Sequence, residues 1–527
     1  MGESLYGGSP VGIGVLQGEE QQMKQNIREQ IRERNIQDDA ELLRDSEIRN
    51  GEFIRYYGKK SEIVIPDSVT LISDGAFRGN HKLTKVTLGR NVLTIEPNAF
   101  RDCTALHDVI LASGVRQIGE DAFRGCRSLV SLILPRTVVS VGAGAFRGCK
   151  SLSHMILSSN VERIGAFAFC DCESLEQITL PPNLTAIPRG TFFNCRSLHT
   201  IEIPPSVRTV GRYAFGCCVS LQELNLPEEV AYLGSGFLSE CESIQSFRVP
   251  ARVKFIGDYA FSRCEKLQTI EMPECVSYIG INAFCACKSL RDVQLSPNVI
   301  RIAPAAFLGC SSLERISIPK GVREIGKRAF AYCTSLREVE IEADLPTVAE
   351  EAFASCFQLT AITLPDSITR IDDKAFQRCI SLASVHLPKQ LSSIGEHAFA
   401  ECEALREMSL PAMLESVEEG AFADCTKLSA FFLPNHYVHV GRGVFVGCEA
   451  LEFLVMPDRF RVWSYRLDRW AVPLHTQVVS HAELRHSMLL AELADEDTTD
   501  ERRVELEAEI VRSKKKLRRP HKVRGSK

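Results

Sequence analysis

Residues 359–379 read LTAITLPDSITRIDDKAFQRC, and the phenylalanine in this stretch, Phe376, belongs to a beat that governs most of the chain. Stepping by 23 residues from Phe77 through Phe100, Phe123 and Phe146 to Phe445, the same position returns seventeen times. No insertion or deletion interrupts it, and Leu238 is the one substitute for Phe. A period of this size signals a solenoid, in which each unit buries its apolar face only against its neighbours.

Other residue types recur at fixed offsets from the Phe. Val or Leu stands eight before it, as in Val69, Val115 and Leu391, and Ile or Val five before it, as in Ile72 and Val417. The preceding residue is usually Ala, as in Ala99 and Ala375. Cys follows by three in sixteen repeats, with Asn80 in the first, and Leu follows by six, with Ile244 the exception. Apolar residues at nine and eleven after the Phe, such as Ile362 and Leu364, alternate with variable ones, the period of a half-buried strand. Pro at twelve after the Phe, in twelve repeats, ends that strand. The run from Ala to Leu suits about two turns of short helix, and the Val and Ile before it suggest a second, shorter extended stretch. Ten repeats carry Gly four before the Phe, including Gly119, Gly326 and Gly441, which predicts a corner of positive φ. The architecture expected is an α/β solenoid of about seventeen repeats, with strands on one face and short helices or turns on the other.

The pattern L-x-x-[VI]-x-L-P-x-x-[VL]-x-x-I-G-x-x-A-F-x-x-C resembles the BspA-like leucine-rich repeats. Leu359–Cys379 follows it with Asp372 where Gly would stand, and Ile256–Leu267 (IGDYAFSRCEKL) matches its second half. The resemblance spans about residues 61–457 and implies a right-handed superhelix with a parallel sheet on one face. It also implies a binding role, either as a scaffold or as a cell-surface adhesin of host-interaction type.

Composition narrows the classes. The 527 residues are 45% hydrophobic and 24% charged, and the net charge of −5 sets up no global field toward nucleic acid or membrane. No run approaches the length of a transmembrane helix. The N-terminus lacks a basic start followed by an apolar stretch, so a cytoplasmic location is expected. Twenty cysteines would suggest disulfides in a secreted chain, but sixteen fall on one repeat offset beside buried Phe and Leu. That placement points to a ladder of free thiols acting as small apolar filler in a reducing compartment.

The division expected is residues 1–50, disordered and then helical; 51–480, the solenoid with its caps; and 481–527, a helical, charged tail with a basic end. In the first part Met23, Ile27 and Ile31 form a narrow apolar stripe within a charged stretch from Glu19 to about Arg49. Residues 51–60 begin one cap. Phe460, Trp463, Tyr465 and Trp470 are assigned to the other. Leu484, Met488 and Leu490 or Leu493 line one tail helix, and DEDTTD at 495–500 precedes a second that runs to about Lys516.

No catalytic constellation appears. Phosphate-loop, H-E-x-x-H and paired C-x-x-C motifs are missing, and Gly12-x-Gly14 lacks the residues that would complete a phosphate loop. Cys170-x-Cys172 and Cys285-x-Cys287 each pair a repeat cysteine with one extra, without a second ligand pair for a metal. Cys217 and Cys275 are read as the more exposed thiols. No enzyme activity, metal or cofactor is implied.

A protein partner, on a monomeric chain, is expected on the variable residues eight and ten after each Phe. Ile110, Ile133 and Ile156 form an apolar stripe there. Glu202, Glu223, Arg248, Glu271, Asp292, Arg315, Glu338 and Glu340 continue the face as a mixed, net acidic surface suited to a basic patch. Phe432, Phe453 and Val455 end it under a cap or tail helix. Residues 512–527 carry nine basic residues and no acid, including Lys514, Lys515, Lys516, Arg518 and Arg519. A solvated tail is the simpler reading of these and a nucleic-acid anchor the sharper one. The repeat of Phe353, with Glu342 for Pro and Asp344-Leu345-Pro346 at its corner, is where a bend is expected.

Overall fold

Each 23-residue repeat forms one coil with a run of turns and, in most repeats, two short parallel strands. A three-residue strand spans eight to ten after the Phe, as at Ala361–Thr363, and a two-residue strand spans six and five before it, as at Arg370–Ile371. In this computed structural model, residues 42, 44–458, 464–495 and 499–517 are described. They belong to two compact units, Met1–Val207 and Arg208–Lys527. The repeat's chemistry is the same in both.

The Ala-to-Leu segment is not a short helix. The residues two before and two after each Phe are left-handed in every repeat, for example Asn98 (φ 55°) and Asp102 (φ 60°), or Lys374 (φ 56°) and Arg378 (φ 61°). A left-handed residue every four positions prevents helical propagation and leaves successive i to i+3 turns. Arg101 N–H to Asn98, Cys103 N–H to Phe100 and Leu106 N–H to Cys103 are such bonds. The Gly four before the Phe is not left-handed either. A Cβ on Gly119 would lie 2.5 Å from backbone atoms of Glu96 and Pro97 in the preceding coil, so this Gly is a close-approach position.

The interior is a set of ladders. The Phe rings stack, 5.1 Å apart between Phe100 and Phe123 and 5.3 Å between Phe376 and Phe399, with interplanar angles of 5° and 9°. Around Leu238 the register of aromatics changes: Phe237 turns inward and meets Phe261 edge-on at 5.3 Å. The cysteines are hydrogen-bond donors as well as filler. Cys126 Sγ donates to the Phe100 carbonyl at 3.1 Å, and that carbonyl also accepts the N–H of Cys103. The pattern repeats in the second unit, where Cys264 Sγ donates to Leu238 and Cys379 Sγ to Phe353. The thiol thus supplies the second partner of a buried carbonyl with a donor that is cheap to desolvate. In the first repeat Asn80 Oδ1 instead accepts the N–H groups of Lys82 and Leu83. All twenty cysteines are free.

In the first unit the two-residue strands build a seven-stranded sheet that starts with an antiparallel hairpin, β1 (Ser46–Arg49) and β2 (Glu52–Tyr56). This hairpin is the N-terminal cap: β2 pairs with Leu71–Ile72, and Phe53 stacks on Phe77 at 4.8 Å. The cap therefore begins before residue 51, and Ser46–Arg49 is strand where a helix was expected. The apolar stripe Met23, Ile27 and Ile31 lies outside the described residues. The three-residue strands form two separate sheets, one ending at Asp108–Ile110 and the next running from Ser131–Ile133 to Gln177–Thr179.

In the second unit both ladders are interrupted at the Phe353 repeat. Glu324–Ile325 does not pair with Thr347–Val348, nor Glu338–Ile341 with Ala361–Thr363. The turn side stays in register, with the Phe330 N–H on the Ala352 carbonyl, and Leu345 fills the usual buried Val position. The unit closes with helix α1 (Ser464–Trp470), whose Trp470 is buried, donates Nε1–H to Val440 and accepts the Phe445 N–H on its carbonyl. Strand Gln477–Ser480 then pairs with Phe453–Met456. Phe460, Trp463 and the Tyr465 side chain lie outside the described residues.

Helix α2 (His481–Ala494) starts in a Ser480/Glu483 capping box and packs against helix α3 (Asp500–Leu517). Leu489 and Leu506 are its buried contacts, His486 Nδ1 lies 2.6 Å from Ser513 Oγ, and Arg502 bonds Glu492 at 2.9 Å. Met488 and Leu490, expected to line the helix face, are instead exposed, because the buried face centres on Leu489.

Candidate functional site

The outward residues of the three-residue strands present different surfaces in the two units. In the first, Ile110, Ile133 and Ile156 are half-buried rather than fully exposed. Ile133 and Ile156 sit in one ladder and continue to Thr179, while Ile110 pairs with Thr87 in the neighbouring sheet. The first ladder floors a groove of about 790 Å³ that extends to Glu202. Pro182, Pro204 and Pro205 form one wall. Of these prolines only Pro204 stands at the strand-ending offset, and Pro182 and Pro205 fall one position beyond it, so the wall was not anticipated. On the rim, His154 Nε2 stands 3.9 Å from Glu176. The groove is thus largely apolar, with a few polar residues such as His154, Gln177 and Glu202 in its lining, a mixture suited to a protein contact surface.

In the second unit Glu223, Arg248, Glu271, Asp292, Arg315, Glu338 and Glu340 are all exposed. Arg248 lies between Glu228 at 3.4 Å and Glu271 at 3.8 Å, so part of the charge is neutralised locally. Asp292 joins the rungs of Thr269 and Arg315 through isolated bridges. Farther on, Val455 is buried at 1% exposure beside the cap strand and α2, whereas Phe453 remains 43% exposed. In the tail, Lys514 is an exposed residue of α3, Lys515 and Lys516 lie in the same helix, and Arg518 and Arg519 fall outside the described residues.

The thiols do not form a reactive centre. Burial pushes Cys103, Cys264, Cys333, Cys379 and Cys448 up to about 12, and Cys126 and Cys287 well above the ordinary value. Cys170 is also pushed up to about 12, by burial and then by the Asp171 carboxylate beside it. Cys217 and Cys275 are half-buried, as is Cys285. Among the described residues no group of three or more potential ligands is placed to hold a metal, and no helix is long and apolar enough to cross a membrane.

Comparison with known proteins places these features. The family described as BspA type leucine rich repeat region matches at residues 46–172, 140–268, 234–357 and 346–467. No curated protein matches. A leucine-rich repeat protein from Bacteroides ovatus is 26% identical over 67% of this chain and 92% of its own, with a TM-score of 0.53. A leucine-rich cell surface protein from Faecalibacterium prausnitzii is 25% identical over 67% of this chain and 89% of its own, at a TM-score of 0.36. The leucine-rich repeat protein of T. pallidum is 37% identical over 31% of this chain and 78% of its own, at 0.30.

Proposed function

We propose that this chain, which belongs to the BspA-type leucine-rich repeat family, is a non-catalytic scaffold that binds a protein partner in the groove of its first unit. The observation that carries this reading is the Ile133–Ile156 ladder, half-buried in a largely apolar groove of about 790 Å³ whose lining also holds His154 and Glu202. An accessible apolar stripe on a strand face costs solubility and is kept where something covers it. The twenty free cysteines favour a reducing, cytoplasmic setting for that encounter.

The test is capture from native lysate with three baits: the unaltered chain, an Ile133→Asp/Ile156→Asp variant, and a Glu223→Lys/Glu271→Lys variant. A protein held by the first and third baits and lost by the second supports the groove. Identical sets on all three would remove it.

A further inference from the structure

The apolar floor of the first-unit groove has a complement in the same unit's own chain. The groove spans the rungs from Ser131–Ile133 to residues 200–202, three steps of about 4.8 Å and so about 14 Å along the coil axis. Ile133 and Ile156 are half-buried in it, and none of its lining residues is Lys or Arg. Glu202 is exposed there without a cationic partner among the described residues, and Glu176 stands on the rim. Such a groove suits a short apolar stripe with positive charge beside it.

Residues 19–41, outside the described residues, carry that pattern in their sequence. In helical register Met23, Ile27 and Ile31 share one stripe, Lys24, Arg28 and Arg32 run along its flank, and Glu29 and Glu33 fall on the far side. At 1.5 Å per residue the stripe from Met23 to Ile31 is about 12 Å long, which matches the groove. The segment enters the unit at Leu42, which is buried and whose carbonyl accepts the Asp45 N–H and the Ser46 hydroxyl ahead of β1. Ile31 precedes Leu42 by eleven residues, a reach of about 36 Å when extended. The groove begins three rungs, about 14 Å, beyond the first three-residue strand, Glu62–Val64.

We propose that residues 19–41 occupy the groove of their own chain, with Met23, Ile27 and Ile31 laid on Ile133 and Ile156 and the Lys24, Arg28 and Arg32 flank turned to Glu176 and Glu202. A protein partner must then displace the segment to bind. A tether of this length holds the segment at an effective concentration on the order of millimolar. With an intrinsic affinity of about 0.1 mM it fills the groove about nine-tenths of the time and lowers the partner's apparent affinity about tenfold. This occupancy regulates the partner site proposed above and rests on that reading.

The test places a photo-crosslinking amino acid at Gln30 in the purified full chain at high dilution and maps the crosslinked peptides by mass spectrometry. Expected are crosslinks within one chain to residues 131–156 or 177–205, lost in the Ile133→Asp/Ile156→Asp variant while its melting temperature holds. A labelled peptide of residues 17–41 gives a second readout by fluorescence anisotropy. It should bind the full chain carrying Met23→Asp/Ile27→Asp/Ile31→Asp about tenfold more tightly than the unaltered chain, whose groove is filled. Crosslinks elsewhere, between chains or not at all, or equal peptide affinity for the two proteins, would each overturn the proposal. The partner reading fails separately. Crosslinks in the groove with no partner captured even by the Met23/Ile27/Ile31 variant would keep the contact within the chain and remove the partner. A partner held through Ile133 and Ile156 with crosslinks elsewhere would do the reverse.

Discussion

The strand faces of the two units are built on the same coil, yet they solve the exposure problem in opposite ways. In the first unit, Ile133 and Ile156 leave apolar surface over a groove with proline walls. In the second, the same offset carries Arg248, Glu271 and Glu340, and part of that charge is consumed by ion pairs such as Arg248 with Glu271. Beneath both faces the Cys donors and the left-handed turn residues are kept, and the Phe stack recurs in both units, broken in the second around Leu238. The core is therefore indifferent to what the surface does, and binding chemistry varies without a structural cost.

The strongest way to break this comparison is in the core. Phe146→Ala and Phe353→Ala each empty a fully buried ring position, and each should cost about 3–5 kcal/mol in denaturant unfolding. Unequal losses would mean that the two units do not share one packing logic. On the surface, Ile133→Asp/Ile156→Asp should weaken partner binding by roughly tenfold or more while shifting the melting temperature little. Glu271→Lys should leave binding within about threefold, in keeping with a charge partly neutralised in a surface ion pair.

Thiol chemistry sharpens the shared part. In native protein at pH 8, a thiol reagent should modify Cys217, Cys275 and Cys285 and leave the ladder cysteines untouched until denaturant is added. Burial pushes ladder thiols such as Cys264, Cys333 and Cys379 from the ordinary 9.0 up to about 12. Their contribution is complete below about pH 9 and is lost as pH rises toward 12, because the unfolded chain releases those protons first. Thermal melts from pH 7 to 11 should show stability falling only on the alkaline side. A smaller loss is expected of Cys264→Ala, which removes one of the two donors on the Leu238 carbonyl, leaves the Cys241 N–H in place and should cost about 1 kcal/mol.

Most of the coil was legible in the sequence because a period without gaps fixes which residues face inward. Phe376, Cys379, Leu382 and Ile371 are all buried where the spacing places them. The turn segment was not, because apolar spacing at Phe, Cys and Leu is equally compatible with a helix and with serial turns. What decides is φ at two polar positions, occupied by residues as different as Phe167, Glu351 and His397. For the same reason Gly119 read as a positive-φ corner when its role is contact with the coil before it. At the groove, Ile133 and Ile156 were visible as outward apolar residues, but their separation from Ile110 depends on a missing ladder that no residue type announces.

The most direct test places a photo-crosslinking amino acid at Ile133 in one protein and at Glu271 in another, with irradiation in intact cells. The account predicts a discrete adduct from position 133 and none, or a far weaker one, from position 271. An adduct from position 271 alone, or no adduct from either position, would contradict it.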